Sequence, residues 1–138
     1  MSNDAAALPS SEFLDLIGLE ITENTGDRLA GHVDLGPQHH QPYGIVHGGV
    51  FCAIIETAAS VGAATAVADQ GLGVVGVHNA TDFLRPGRAG RAQVVAEPLH
   101  RGRTQQLWQV IITDEASGKA LARGQVRLHN ISRDAVSP

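Results

Sequence analysis

The sequence predicts an α+β domain in which a curved antiparallel sheet wraps around one long buried helix. Three observations carry that expectation. The stretch Val50–Ala68, "VFCAIIETAASVGAATAVA", holds a single charged residue, Glu56. Six further stretches show the alternation or the short apolar runs of strands, separated by turns rich in Gly, Pro and Asp. They fall as two strands, one helix and four strands, with no internal repeat and no linker, which is the order of one sheet and one helix. A chain of 138 residues with 43% apolar content can bury a core without metals or disulfides, so one domain is expected over residues 1–138.

The elements follow in order. Residues 1–15 are expected to be a loose N-terminal segment running into a short helix in "LPSSEFLDLIG", capped by Ser10 or Ser11. A strand around Leu19 to Glu23 turns at "ENTGD" into a second, where Leu29, Gly31, Val33 and Leu35 share one face and Arg28, Ala30, His32 and Asp34 the other. The helix comes next. A helix apolar on nearly every side must be covered on several faces. After it come "GVVGVHNATDFL", "AQVVAEPLH", "QQLWQVIIT" and "KALARGQVRLHN", divided by "RPGRAG", "RGR" and "DEASG". In the last strand Ala120, Ala122, Gly124, Val126 and Leu128 face one way, with Lys119, Leu121, Arg123, Gln125, Arg127 and His129 the other.

Composition removes several classes of function. The formal charge of -4, without any Lys/Arg run, gives no field for a nucleic-acid backbone. Cys52 is the only cysteine, so no internal disulfide or thiolate metal cluster forms, which fits a reducing cytoplasm. The N-terminal residues lack the basic start and apolar core of a signal peptide. Val50–Ala68 is long enough for a bilayer, but a carboxylate near mid-span costs roughly 2.5 to 3.5 kcal/mol, and no aromatic belt or basic flank offsets it. No membrane partner is expected. There is no G-x-S-x-G elbow and no phosphate-binding or dinucleotide glycine motif after a strand, so serine hydrolysis, nucleotide hydrolysis and hydride transfer lack support.

The chemistry concentrates at "HQPYGIVHGG", His40 to Gly49, directly before the helix. Gly48 and Gly49 fall where the helix begins, and a helix start presents unpaired N–H groups with a partial positive charge. Glycine lets a substrate approach that backbone, and donors aimed at a developing oxyanion are a large catalytic term. Cys52, Glu56 and Ser60 are spaced by four and share a helix face, with Gly49 about two turns before Glu56 on roughly the same stripe. On this reading Glu56 looks into the pocket that the glycines border, with Ser60 as its local hydrogen-bond donor. Ionised, it is a nucleophile or a base for water.

The segment "QPYGIVHGGVFCAIIETAAS" resembles the hotdog-fold thioesterases of the phenylacetate-degradation (PaaI-like) and hydroxybenzoyl-CoA type, and "NATDFLRPG" and "HRGRTQQLWQV" extend the likeness over nearly the whole chain from about Leu16. The resemblance implies the hotdog fold, hydrolysis of an acyl-CoA thioester, and no metal or bound cofactor. It gives Glu56 the attack on the thioester carbonyl or the activation of water. It gives Gly48 the backbone N–H that polarises the carbonyl, Gln41 and His47 the orientation of the thioester, and Ser60 a positioning hydroxyl. It also implies a pocket built by two subunits of a homodimer or homotetramer, with Glu56 facing Gln41 and His47 across the interface. CoA contacts are expected near Arg85, Arg88, Arg101, Arg103 and Thr104, since guanidinium groups bind phosphate by paired hydrogen bonds, and Asp82 is expected near the acyl pocket.

Each role has a plainer alternative. Glu56 can be a structural acid, His47 a brace for the helix start, Gln41 a loop amide, Ser60 a hydroxyl bonded one turn back, and each arginine a solvated surface charge. Asp82 can pair with a neighbouring arginine. Cys52 reads as a small buried apolar residue, because nothing near it favours a thiolate. His32, His39, His40 and His47 lack zinc-ligand spacing. Two rival functions remain: a hydratase or dehydratase of enoyl or hydroxyacyl thioesters, and a non-catalytic acyl-CoA-binding module.

Overall fold

The computed structural model describes residues 11–135. Its elements are α1 (Glu12–Ile17), β1 (Glu20–Asn24), β2 (Leu29–Leu35), α2 (Gly48–Val67), β3 (Leu72–Phe83), β4 (Gly90–Arg101), β5 (Gln105–Asp114) and β6 (Ala120–Ser132). All six strands pair antiparallel in one sheet, in the order β1-β2-β4-β5-β6-β3. Ser11 caps α1 by accepting the Leu14 N–H at 3.2 Å; Ser10 lies outside the described residues. Residues 12–15, expected within the loose segment, are helical.

The alternation in the sequence is what places the core. Leu29, Val33 and Leu35 from β2, Ala92, Val94 and Ala96 from β4, Trp108, Val110 and Ile112 from β5, and Ala122, Val126 and Leu128 from β6 are buried beneath α2. Leu121, expected on the face of β6 opposite Ala120 and Ala122, is buried with the core too, because the pairing with β5 shifts there: Ile112 opposes Ala122 and Thr113 opposes Ala120, which leaves Leu121 an extra residue.

The helix departs from expectation. It buries one broad stripe, Phe51, Ile54, Ile55, Ala58, Ala59, Gly62, Ala63 and Val67, while Glu56 is exposed and Cys52, Thr57, Ser60 and Val61 are only partly covered. One six-stranded sheet has one concave face, so a single chain covers a single side of the helix. Cys52, predicted to be buried, sits at the edge of the uncovered side. Gly48–Gln70 is long and apolar enough to cross a membrane, but its stripe packs against this chain's own sheet, as in a core helix.

Gly62 sets how closely helix and sheet approach. A Cβ there would lie 2.7 Å from Trp108 Cζ3, and Trp108 is fully buried and unable to swing away. Gly62→Ala gains about 1 kcal/mol in helix propensity. Overpacking costs about 1–3 kcal/mol. We expect a net loss of stability, read as a thermal melting point lowered by several degrees.

A buried polar chain ties the far end of the sheet to the helix. Trp108 Nε1–H donates to Gln106 Oε1 at 2.8 Å, and Gln106 Nε2 donates to Ala63 O at 3.1 Å and Asn130 Oδ1 at 2.9 Å. Asn130 Nδ2 reaches the carbonyls of Gly102 and Arg103, both at 3.2 Å, which pins the turn between β4 and β5. Buried amides satisfied on both ends rigidify what they join.

Candidate active site

The helix start is built by the loop before it. Gln41 N–H donates to Ile45 O at 2.8 Å and Gly44, at φ +79°, closes the turn by donating to Gln41 O at 3.0 Å. The His40–Val46 bridge and the bond from Val46 N–H to Gly87 O (2.8 Å) fasten this loop to the one after β3. His47 is the N-cap: its Nδ1 accepts the Gly49 N–H at 2.8 Å, which places the ring proton on Nε2. The bracing role of His47 is thereby realised, and Gly49 is spent on it. The Gly48 N–H makes no hydrogen bond among the described residues.

Gln41, Gly48 and Arg85 line one cavity of about 480 Å³, walled by Ile45, Val46, Phe51, Phe83, Leu84 and Pro86. The Phe51 and Phe83 rings meet at 6.5 Å between centroids, and the Phe83 ring lies against the Gly48 Cα. The structure thus brings a backbone donor and an amide to the mouth of an apolar space. The Gln41 side chain is turned by its own loop, with Oε1 accepting the Tyr43 N–H.

Glu56 is not in that cavity. It stands eight residues beyond Gly48, so the helical rise separates the two by about 12 Å along the axis. The sequence reading that let one helix carry both groups into one pocket is therefore corrected: within one chain they serve different places. Ser60 makes no side-chain hydrogen bond among the described residues, neither to Glu56 nor one turn back. The donor beside Glu56 is Asn79, whose Nδ2 lies 3.5 Å from Glu56 Oε1 and 3.1 Å from Cys52 O. Thr81 Oγ1–H donates to Asn79 Oδ1 at 2.7 Å. Neither residue stands out in the sequence as a site residue.

The remaining candidates scatter. Arg85 Nη1 donates to Ala120 O at 2.8 Å, and Arg85 also borders a second cavity of about 260 Å³ with Arg88, Asp114 and Ser117. The Ser117 hydroxyl, and then its N–H, hold the Asp114 carboxyl below the usual carboxylate range, so an anion stands beside these arginines. Arg101 is committed elsewhere: Nη1 binds Asp27 Oδ1 at 2.6 Å and Gly26 O at 2.9 Å in the β1–β2 turn. Arg103 and Thr104 are exposed on the β4–β5 turn, near the C-terminal half of α2. Asp82 is exposed on β3 opposite Arg123. His39 is buried, with Nε2 bonded to Leu16 O at 2.9 Å and Nδ1 accepting Gly36 N–H at 3.3 Å, and His40 Nε2 binds Arg88 O. Both histidines hold loops.

A six-stranded antiparallel sheet curved around one long helix, with a glycine start opening on an apolar cavity, defines a hotdog-fold enzyme. Comparison with solved structures agrees: the Mycobacterium tuberculosis protein Rv1847, designated an esterase, superposes with a TM-score of 0.85 at 45% identity, over 93% of this chain and 100% of that one. The thioesterase HI1161 of Haemophilus influenzae gives 0.84 at 30% identity, over 92% and 87%. By sequence, the 1,4-dihydroxy-2-naphthoyl-CoA hydrolase of Listeria monocytogenes is 34% identical across 73% of this chain and 81% of its own. Residues 43–121 match the family model of the Thioesterase superfamily. The chain belongs to that superfamily, and it is a thioester hydrolase.

Proposed function

We propose that this hydrolase cleaves acyl-CoA thioesters at sites shared by two copies of the chain. The Gly48 N–H of one protomer polarises the thioester carbonyl, Gln41 and His47 of that protomer orient it, and Glu56 of the other protomer, with Ser60 beside it, supplies the attack. Glu56 either adds to the carbonyl carbon, giving an anhydride that water then cleaves, or takes the proton of the water that adds. In both courses the C–S bond breaks, CoA leaves as its thiol and the acyl group as a carboxylic acid. Arg85, Arg103 and Thr104 are the candidates for the CoA phosphates, with Asp82 near the acyl group.

The observation that carries this reading is the separation of Gly48 and Glu56. Two groups about 12 Å apart along a helix cannot meet one carbonyl. Two features supply a reason to dimerise. β3 is an edge strand of 12 residues, paired only with β6, and its outward residues include Val75 and Val77, the latter 54% exposed. A long apolar edge calls for a covering. The uncovered side of α2 is the second, and both are met if a second copy pairs its β3 with this one and lays its α2 alongside. A dimer, or a tetramer of two such dimers, in the cytoplasm is the working form we propose.

The test is thiol release from a panel of aromatic and aliphatic acyl-CoAs. Wild type turns over some members, and Glu56→Gln and Glu56→Ala lose about two orders of magnitude or more in kcat while staying folded. Variants as active as wild type make Glu56 a structural acid. Tight CoA binding without turnover by wild type points instead to a binding module.

A further inference from the structure

The face that β3 turns toward α2 changes parity partway along the strand. Val74 packs against the core, and a Cβ on Gly76 would lie 3.5 Å from Glu56 Oε2. Further on it is Asn79, Thr81 and Phe83 that face the helix, as their contacts with Cys52 O, with one another and with Gly48 require. The switch is a β-bulge. Gly76 opposes Leu128 and His78 opposes Arg127, so Val77 is an extra residue without a partner on β6. Bulges re-aim the side chains that follow them. Without this one Asn79 would point away from Glu56.

The direction of the Asn79 amide is also fixed. Cys52 O and Glu56 Oε1 both accept, so it is Nδ2 that faces the helix, with one proton toward Cys52 O at 3.1 Å and the other toward Glu56 Oε1 at 3.5 Å, and Oδ1 is left to accept the Thr81 hydroxyl. Only a group with two donors on one atom meets both acceptors; the inverted amide would set an oxygen against a carboxylate. Glu56 Oε2, by contrast, lies over Gly76, where no side chain stands.

We infer that Asn79, aimed by the bulge at Val77 and braced by Thr81, is a positioning residue: it holds Glu56 Oε1 so that Oε2 is the oxygen presented to the thioester or to water. This rests on the reading of Glu56 as the catalytic carboxylate. Asn79 does not touch the substrate; its effect runs through the geometry of Glu56.

The experiment is steady-state thiol release by the full chain for Asn79→Ala, Thr81→Val, Thr81→Ser and Glu56→Gln, together with the double variant Glu56→Gln/Asn79→Ala. Asn79→Ala is expected to lower kcat by about 10- to 100-fold with KM changed by no more than about threefold, the cost of freeing an ion from a fixed donor. Thr81→Val, of nearly the same shape, lowers kcat by about 3- to 10-fold, and Thr81→Ser recovers most of that loss. In the Glu56→Gln background the Asn79→Ala loss disappears, because a group acting through Glu56 has nothing left to position. An Asn79 that merely fastens β3 to α2 through Cys52 O gives losses that multiply in the double variant, and that result overturns the inference. So does an Asn79→Ala enzyme with wild-type kcat beside an inactive Glu56→Gln. Wild-type turnover by Glu56→Gln removes the catalytic reading itself, and this one with it. Should Asn79→Ala fail to fold, the Thr81 pair carries the test.

Discussion

Mixing two inactive variants restores activity. Glu56→Gln removes the carboxylate and Gly48→Pro removes the backbone donor, and each alone leaves every site with one lesion. In a hybrid dimer the site that joins Gly48 of one chain to Glu56 of the other is wild type on both sides, while the second site carries both lesions. Every hybrid dimer has half its sites intact, so about half of wild-type activity is expected once the hybrids are separated from the homodimers. The homodimers retain about 1% or less. The gain over the separate variants is therefore on the order of 50-fold. It is measured by co-expressing differently tagged chains, isolating the doubly tagged species and following thiol release. No recovery in that species places both groups on one chain's own site, against the 12 Å of helix between them.

Much of this arrangement was legible in the sequence. The strands fall within a residue or two of their expected bounds, because alternation fixes which face is buried and Gly or Pro ends each run. The helix was legible from its length and single charge. Its uncovered side was not, since apolar composition does not say whether the cover comes from the same chain or from another copy. The partner of Arg101 is Asp27, 74 residues away, and only the fold brings the β1–β2 turn to the end of β4. Asn79 was hidden by the bulge: "GVVGVHNATDF" keeps no single alternation, so parity counted from either end assigns part of the strand to the wrong face. Leu121 was misplaced for the same reason, as β6 carries a register shift of its own there, between Ala120 and Ala122.

The glycine at the helix start separates its own two possible roles. Gly48 is the first residue of α2, and a Cβ there would lie 2.7 Å from Phe83 Cζ and 2.9 Å from its Cε2. Phe83 is 56% exposed, so its ring can swing aside, and Gly48→Ala is expected to fold. Proline suits the same position, since its fixed φ fits a first helical turn and the missing N–H is one that the helix leaves unpaired. His47, with φ −63° and ψ 134°, already has the extended backbone that a residue before proline requires. Both variants therefore displace the Phe83 ring, and both preserve the helix. Only proline deletes the donor. If Gly48 serves to let the substrate approach, Ala and Pro fall together. If its N–H carries the developing oxyanion, Pro falls about 100- to 1000-fold below Ala in kcat, with both melting close to wild type. The ratio of the two, measured on one acyl-CoA, reads the loss of that N–H and its replacement by the ring Cδ, with the effect of the shared Cβ cancelled, and a ratio near one assigns the polarisation of the carbonyl to another group.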